Sequence, residues 1–396
     1  MLTTLLHQSY SYIREGLDMR IIKSNYDVNT VGVEWTTNNS SPTLVQTDQY
    51  GNAFAMTAAM WAGHKLFGAI RRVNLADNGT VNYVYGDANF KYDGTAGQVM
   101  VQIPKFYYRT DSLANKFRYT ISPSPRAGYK VHPAFVVDGV EKNYIYPSAF
   151  EGYQTGGKLC SLAGQAPAGG ADLPTFRGYA QARGAGWELM DWNTVSAIQL
   201  LFIIRNCTLN SQSVYQGVTD ATNAGAVNTG FTAGVGSGST DLGNASGEAT
   251  SQGTAAKRSF SIFGIENFYG NIYKWIDGVK LLDRRVWIAN HGFNDSGTFE
   301  HPYVDTGLDM ATIYGEEAAL PIYSSTYDYL FIPATQVTNA SFNTYLCDTG
   351  YSATGNNAVF FGGNWADALR AGAFFVYASY ASSVVGSNVG GRAVYK

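Results

Sequence analysis

The sequence predicts an α+β fold in which short strands outnumber helices. Several segments are rich in β-branched and aromatic residues and are bounded by glycine, asparagine or proline, a pattern that is typical of strands. One longer region has the almost wholly apolar character of a buried helix. No segment repeats at a fixed period, which argues against a solenoid, a β-helix or a propeller.

The first part of the chain predicts one short helix and a few strands. Apolar residues recur at helical spacing within residues 1–25, and residues 31–35 and 83–85 have the character of strands. A stronger strand is predicted over residues 99–108, and we place a domain boundary just before it, near residue 95. Residues 1–95 are therefore expected to form a smaller, β-rich attachment or oligomerisation region, and residues 96–396 the main domain.

The best helical signal lies within residues 178–206. Asp191 is a suitable N-cap for a helix in which Val195, Ile198 and Phe202 share one face. Most of the other faces are also apolar, so the helix belongs in a core. The following residues 217–256 are poor in charge and dense in Gly, Ser, Thr and Asn, which predicts a long surface insertion.

The composition narrows the classes of function. The 396 residues include 27 Lys plus Arg and 30 Asp plus Glu, and 14% of the residues are aromatic. A chain with so little charge and so many aromatic residues is not a long disordered protein. Its slight negative charge argues against nucleic acid as a partner, and the lack of an apolar run of roughly 20 residues argues against membrane insertion. The composition suits a surface protein of a virion or cell.

Residues 263–275, FGIENFYGNIYKW, form the most specific motif. Gly270 and Asn271 predict a tight turn, because both tolerate a positive φ. Trp275 then points into a core. The motif resembles the central motif of C-type lectin folds of the formylglycine-generating-enzyme type, and the scaffold positions Gly264, Gly270, Asn271 and Trp275 match it. Lys274 departs from it, since the family usually carries Glu or Gln there.

The end of the chain resembles the same family. Gly362, Gly363 and Trp365 match its GG-[SN]-W segment, Gly372 lies in an AG-x-F interior, and Arg392 matches the terminal arginine. The layout is similar to the variable region of proteins that are diversified by retroelements, which include phage tropism determinants at tail-fibre tips. The resemblance covers about residues 95–396 and is weaker before them.

In that family the variable residues are encoded by codons that cannot specify Lys, Glu, Gln, Met or Trp. Residues 364–389 contain none of these except the anchor Trp365. The resemblance therefore implies a variable region at 364–389 that displays a ligand-binding face on a fixed scaffold. The candidate face residues are Ala366, Asp367, Leu369, Arg370, Phe375, Tyr377, Ser379, Tyr380, Ser383 and Val384. For the aromatic members, packing in the core of a strand is the competing interpretation. Phe374, a fixed position of the family, is expected in the core.

No catalytic residues are predicted, and we expect that the protein is not an enzyme. Cys347 is alone in the region where the family's oxidase has a pair of reactive thiols, and one thiol does not form that copper site. The histidines lack metal-ligand spacing. Carboxylate pairs such as Asp305 with Asp309, or Glu316 with Glu317, leave a glycan depolymerase open on weak grounds. No cofactor is expected. The family often carries structural calcium, to which Asn271 or Asp277 could contribute, but the spacing assigns no metal.

These observations predict a phage receptor-binding protein that determines tropism at the tip of a tail fibre. The expected partners are a host-surface protein or glycan and other tail proteins. Family analogy implies a homotrimer. The first residues do not form a good signal peptide, so we expect the protein to be made in the host cytoplasm and to act outside the cell as part of the virion. Two alternatives remain open from the sequence. One is a fixed tail or baseplate protein that uses the fold as a scaffold, and the other is a prophage-encoded adhesin on a cell surface.

Overall fold

Strands predominate in the computed structural model, which describes residues 27–220, 225–233, 243–248, 258–295, 299–338 and 341–396. The helix predicted within residues 1–25 lies outside the described residues. The helices are few and, except for one, short. They are α1 (Ala58–Gly63), α2 (Leu173–Gln181), α3 (Trp192–Asn206) and α4 (Ser211–Val214), with 3₁₀ turns at Phe67–Ala69, Pro133–Phe135 and Ala368–Arg370.

The strands are numbered in chain order. They are β1 (Val31–Thr36), β2 (Val45–Thr47), β3 (Arg71–Leu75), β4 (Val81–Val84), β5 (Gln98–Pro104), β6 (Tyr107–Leu113), β7 (Lys116–Ser122), β8 (Lys130–Val131), β9 (Val136–Val137), β10 (Val140–Glu141), β11 (Tyr144–Pro147), β12 (Tyr153–Thr155), β13 (Lys158–Cys160), β14 (Trp187–Leu189), β15 (Gly243–Glu248), β16 (Arg258–Ile262), β17 (Ile265–Glu266), β18 (Tyr273–Leu282), β19 (Arg285–Ile288), β20 (Val304–Asp309), β21 (Tyr314–Ala318), β22 (Gln336–Val337), β23 (Thr349–Ser352), β24 (Asn356–Phe361), β25 (Val376–Tyr380), β26 (Val389–Gly390) and β27 (Ala393–Tyr395).

Three larger sheets organise these strands. One has five strands in the order β2-β1-β7-β6-β8, and another has six in the order β14-β27-β11-β5-β3-β4. The third has nine strands, β20-β19-β18-β24-β25-β23-β21-β22, with β26 paired to β18. Most neighbours are antiparallel, but β26 runs parallel to β18 and β23 runs parallel to β25. The C-terminal residues thus enter two sheets, which ties the end of the chain to elements far from it in sequence.

Helix α3 is buried as predicted. The carboxylate of Asp191 accepts the N–H of Thr194 at 3.1 Å, which caps the helix. Val195, Ile198 and Phe202 are fully buried, and the helix packs against β1, β7 and β18. Cys207 ends it in the left-handed conformation, with φ of 54°. An apolar helix surrounded by strands of two sheets gives both sheets a common core.

Hydrogen-bonded strands continue across residue 95. Strand β3, before it, pairs along its whole length with β5, after it. Strand β1 likewise pairs with β7 over six residues. Residues 27–95 therefore share sheets and core with the rest of the described chain. The strand predicted over residues 31–35 is confirmed, whereas the one predicted over 99–108 is two strands. Pro104 ends the first of them, since proline has no N–H to donate.

The segment predicted as a surface insertion is buried in part. Within its described residues, Val218 and Val227 are fully buried and pack with Phe231 and Trp365. The expectation of a surface excursion is therefore wrong for residues 217–220 and 225–233. Low charge and small side chains are compatible with close packing as well as with a flexible loop, and composition did not separate the two.

Candidate functional site

The motif turn at Gly270 and Asn271 connects several parts of the chain. Gly270 has φ of 74° and Asn271 has φ of 61°, as the sequence predicts. The side chain of Asn271 exchanges two hydrogen bonds with the backbone of Val227, at 2.8 and 3.1 Å, and donates to Glu151 at 2.5 Å. Its backbone carbonyl accepts the N–H of Trp365 at 3.0 Å. One asparagine thus fixes the start of the predicted variable region to the buried segment around Val227.

Lys274, which departs from the family pattern, has a local partner. Its Nζ lies 3.1 Å from a carboxylate oxygen of Glu151 and donates to the carbonyl oxygen of Gly270 at 2.5 Å. The side chain is fully buried, and burial lowers the pKa of Lys274 to about 8. The buried pair with Glu151 accounts for a cation at this position.

Two further scaffold positions are fixed by close contacts. Arg392 is fully buried and donates to the backbone carbonyls of Ser148, Glu266 and Asn267, which ties the last strand to the residues just before the motif turn. At Gly372, an added Cβ would lie 2.1 Å from the carboxylate of Asp348. A side chain at position 372 therefore does not fit without displacing a buried acid.

Residues 364–371 form a loop, the display loop, whose backbone is held by groups outside it. The N–H of Trp365 donates to Asn271, and the N–H of Ala368 donates to the carbonyl of Thr219 at 2.6 Å. The amide of Gln212, in α4, donates to the carbonyls of Ala368 and Ala371, both at 2.7 Å. The exposed side chains on the loop, at Ala366, Leu369 and Arg370, can therefore change while these backbone bonds remain.

The predicted face residues divide into exposed, half-buried and buried positions. Ala366, Leu369, Arg370, Tyr380 and Ser383 are exposed, and Leu369 is 58% exposed. Half-buried positions are Asp367, Tyr377, Ser379 and Val384. Phe375 is fully buried and packs against Tyr273 and Tyr351, so its place on an exposed face is wrong. It directly follows Phe374, which is buried as expected.

Asp367 supports the display loop from within. One carboxylate oxygen accepts the N–H of Asn364 at 2.7 Å, and the other accepts the hydroxyl of Tyr273 at 3.0 Å. Burial raises the pKa of Asp367, while these two bonds and the nearby Arg370 favour its charged form. The side chain is thus part of the loop's own structure.

An aromatic row crosses the nine-stranded sheet beside the loop. It consists of Trp275, Phe360, Tyr377, Tyr351 and Tyr314, which are consecutive cross-strand partners on β18, β24, β25, β23 and β21. Neighbouring ring centroids are 4.2, 5.7, 4.3 and 5.6 Å apart along the row. The exposed fraction of the residues rises along the row, from Trp275, which is fully buried, to Tyr314, which is 83% exposed. The row therefore joins the core to the surface.

An irregularity in the pairing of β24 with β25 adds a further ring to this surface. Phe360 pairs with Tyr377 and Ala358 with Tyr380, so two steps on β24 match three on β25. A bulge of this kind re-aims side chains. It allows Tyr377 and Tyr380 to stack at 5.2 Å with an angle of 9° between their planes, although residues three apart on a regular strand face opposite sides.

Beside these rings lies a groove of about 340 Å³, the aromatic groove. Its walls include Tyr273, Phe360, Tyr377 and Tyr380, together with Val384 and Val385. The predicted face residues Tyr377, Tyr380 and Val384 thus meet at one depression. The candidate face residues predicted from the sequence do not include Tyr273, Phe360, Tyr351 or Tyr314. Tyr273 lies within the motif and offered a signal, but the register that brings the other three together is set by long-range pairing.

The carboxylates that the sequence offers for glycan hydrolysis form bonds within the chain. Asp305 and Asp309 both pair with Arg285, at 3.6 and 2.6 Å. Glu317 is fully buried and accepts the N–H groups of Phe342 and Thr344. Among the residues that the structure describes, no three His, Cys, Asp or Glu side chains converge as a metal site, and no helix is long and apolar enough to span a membrane.

Comparison with known proteins finds similar chains among solved structures. No protein-family model and no curated protein matches the chain. Among solved structures, it is similar to the Major Tropism Determinant M1 Variant, with 13% identity, a TM-score of 0.32, and coverage of 93% of this chain and 84% of that one. The U1 Variant has 11% identity, a TM-score of 0.30, and coverage of 91% and 98%.

Proposed function

We propose that this chain is a phage receptor-binding protein that determines tropism by presenting a variable, non-catalytic face to the host surface. The observation that carries the proposal is the construction of the display loop. Its backbone is held by Gln212, Thr219 and Asn271, which lie outside residues 364–389, while Leu369 and Arg370 point to solvent. A loop built in this way accepts new side chains without losing its shape.

The face that we propose combines the display loop with the aromatic surface next to it. Tyrosine and arginine are enriched among the residues that dominate binding energy at interfaces. Tyr380, Leu369 and Arg370 are exposed here, and all three residue types can be encoded by the codons that the diversification mechanism produces. Supporting rings such as Phe360 are buried and would stay constant.

We propose a C-type lectin fold of the formylglycine-generating-enzyme type for the region that holds this face. Support comes from the matched motif positions, which occupy structural roles. Gly270 and Asn271 form the left-handed turn, Trp275 on β18 is fully buried, and Arg392 donates to the carbonyl of Asn267 within the motif. In this proposal the buried motif keeps the scaffold fixed while the face changes.

The assembly that we propose is a homotrimer at the tip of a tail fibre, with other tail proteins as partners. Several copies on one fibre would raise avidity for a weak single contact, since the second contact becomes intramolecular. A single isolated copy should then adhere to cells far more weakly than the whole assembly. Equal adherence would contradict the trimer.

Substitutions on the face test the function. The purified, labelled chain is incubated with cells of the strain on which the encoding phage or prophage propagates. Tyr380→Ala and Leu369→Asp should each reduce cell binding by about tenfold or more, as loss of an interface anchor does. Tyr144→Ala is the matched control, because Tyr144 is exposed to 40%, like Tyr380 at 45%, but lies on β11.

Unchanged binding by both face variants would contradict the proposal. Unchanged cell binding together with loss of incorporation into tail particles would instead favour a fixed tail protein whose face is covered by a partner subunit. Thermal unfolding of each variant checks that the fold is retained, since all three side chains are exposed and their removal should cost little stability.

A further inference from the structure

The aromatic groove has a shape that a small cation fits. Phe360 is 3% exposed and forms its floor. Tyr273 and Tyr380 contact this floor on either side, with ring centroids 5.7 and 5.8 Å from that of Phe360. Tyr377 contacts the floor as well, at 5.7 Å. Four aromatic rings thus line one depression of about 340 Å³, and one of them, Tyr377, is itself stacked against Tyr351 and Tyr380.

The charge around the groove favours a cation. Among the described residues that line it there is no lysine, arginine or histidine. The hydroxyl of Tyr273 donates to the carboxylate of Asp367 at 3.0 Å, so a negative group lies directly behind one wall. The cation of the display loop, Arg370, interacts electrostatically with Tyr351, and neither of these side chains lines the groove.

We propose that the aromatic groove binds a quaternary ammonium group of the choline type. Stacked tyrosine and phenylalanine rings attract such a cation through the negative faces of their π-systems, and aromatic cages are a recurrent way of recognising it. This inference rests on the proposed function, because it takes the groove to be part of the receptor-binding face and names the chemistry that one pocket of that face recognises.

The groove favours a cationic group that carries no N–H donors. A primary ammonium, such as a lysine side chain, would enter with three donors that need partners, and burying unpaired donors is costly. A trimethylammonium group has no donors and covers its charge with methyl groups. Apart from the amide of Asn388 and the tyrosine hydroxyls, the groove offers rings and valine side chains and no carboxylate. It therefore has few acceptors for an ammonium N–H and suits the methylated cation better.

A charged ligand and its neutral isostere test the inference directly. The full-length chain is titrated calorimetrically with choline chloride and, separately, with 3,3-dimethylbutan-1-ol, which has the same shape without the charge. Choline should bind about tenfold or more tightly than the alcohol, as a cation over partly desolvated rings does. Equal affinity for both would overturn the inference, because the groove would then select only apolar shape. No binding at about 20 mM choline would overturn it as well.

Matched variants locate the site. Tyr380→Leu keeps an apolar side chain in the groove but removes one ring, and should weaken choline binding by about tenfold with little effect on the alcohol. Tyr314→Leu is the control, because Tyr314 belongs to the aromatic row but does not line the groove. Equal loss in both variants, or in neither, would contradict binding in the groove.

Two further measurements distinguish choline from a lipid bilayer or a sugar as the ligand. The combined outcomes distinguish failure of this inference from failure of the proposed function. Retention on phosphatidylcholine vesicles without binding of soluble choline would overturn the inference in favour of adhesion to a bilayer. Binding of a neutral oligosaccharide such as maltohexaose, with no binding of choline, would overturn it in favour of a sugar site. If Tyr380→Ala abolishes cell binding while choline does not bind, this inference fails and the proposed function stands. If neither cells nor choline respond to the variants, both fail.

Discussion

At the scale of single residues, Asn271 does more than the motif alone indicates. A turn residue with φ of 61° was predictable from Gly-Asn. The structure adds that its side chain satisfies both backbone groups of Val227 and bonds to the buried Glu151. The asparagine is therefore a connection between the motif, the buried segment at 225–233 and the display loop.

Replacing Asn271 tests this role. Asn271→Ala should lower the free energy of unfolding by about 3 kcal/mol, because it leaves both buried backbone groups of Val227 without a side-chain partner and removes one of the two partners of Glu151. Chemical denaturation measures the change. Asn271→Gly separates the causes, since glycine tolerates the left-handed backbone but supplies no side-chain bonds. If the glycine variant is as stable as the natural chain, the side chain of Asn271 does not hold these segments together.

At the scale of elements, the small helix α1 ends in a buried histidine. His64 is fully buried, and its Nδ1 accepts the N–H groups of Leu66 and Phe67, at 3.1 and 3.4 Å. An accepting Nδ1 belongs to a neutral imidazole. Burial accordingly lowers the pKa of His64 from 6.5 to about 4. Protonation of this side chain must then compete with folding.

The free energy of unfolding should therefore decrease as the pH falls. The folded pKa lies below the unfolded one, so the stability from neutral His64 is complete above about pH 6.5 and is lost as the pH falls towards 4. The loss is on the order of 3 kcal/mol. Denaturation curves between pH 4 and 7 should show a shallower fall for His64→Asn, whose amide oxygen can accept the same N–H groups without titrating.

Other buried groups also contribute to the pH dependence of stability. They contribute equally in the natural chain and in His64→Asn, so the difference between the two proteins reports His64. His132 is buried with a pKa lowered to about 3, so it acts in the same direction as His64. Burial beside Asp191 raises the pKa of Glu188 from 4.5 to about 8, so its stabilisation is present at low pH and is lost as the pH rises through that range. The cost of the substitution itself is measured at pH 8, where the imidazole is neutral in both states. Parallel curves for the two proteins between pH 4 and 7 would contradict the role of His64.

Local signals in the sequence predicted the local elements of this fold. Helix α3 with its Asp191 cap and the turn at Gly270 follow from residues within a few positions of each other. The aromatic row does not, because Tyr314, Tyr351 and Phe360 come together only through the register of β21, β23 and β24 with β25. The register between strands that are distant in sequence is set by packing of the whole core, so no short sequence pattern predicts it.

At the scale of the whole molecule, three larger sheets that share a hydrophobic core support the face. The strands before residue 95 pair with strands after it, and β26 and β27 return the C-terminal end to β18 and β14. Composition suggested an exposed excursion at 217–256, whereas its described residues hold the display loop through Thr219 and pack on Trp365. Side chains can then vary at the surface while the supporting contacts remain below it.

Deep sequencing of the encoding gene across residues 364–389, in an independently propagated population, tests the central claim most directly. We predict substitutions at the exposed positions, above all Ala366, Leu369, Arg370, Tyr380 and Ser383. The buried Phe374 and Phe375, together with Gly372, should stay unchanged. A window no more variable than the buried strand β5 would contradict a diversified face and would favour a fixed adhesin or a structural tail protein.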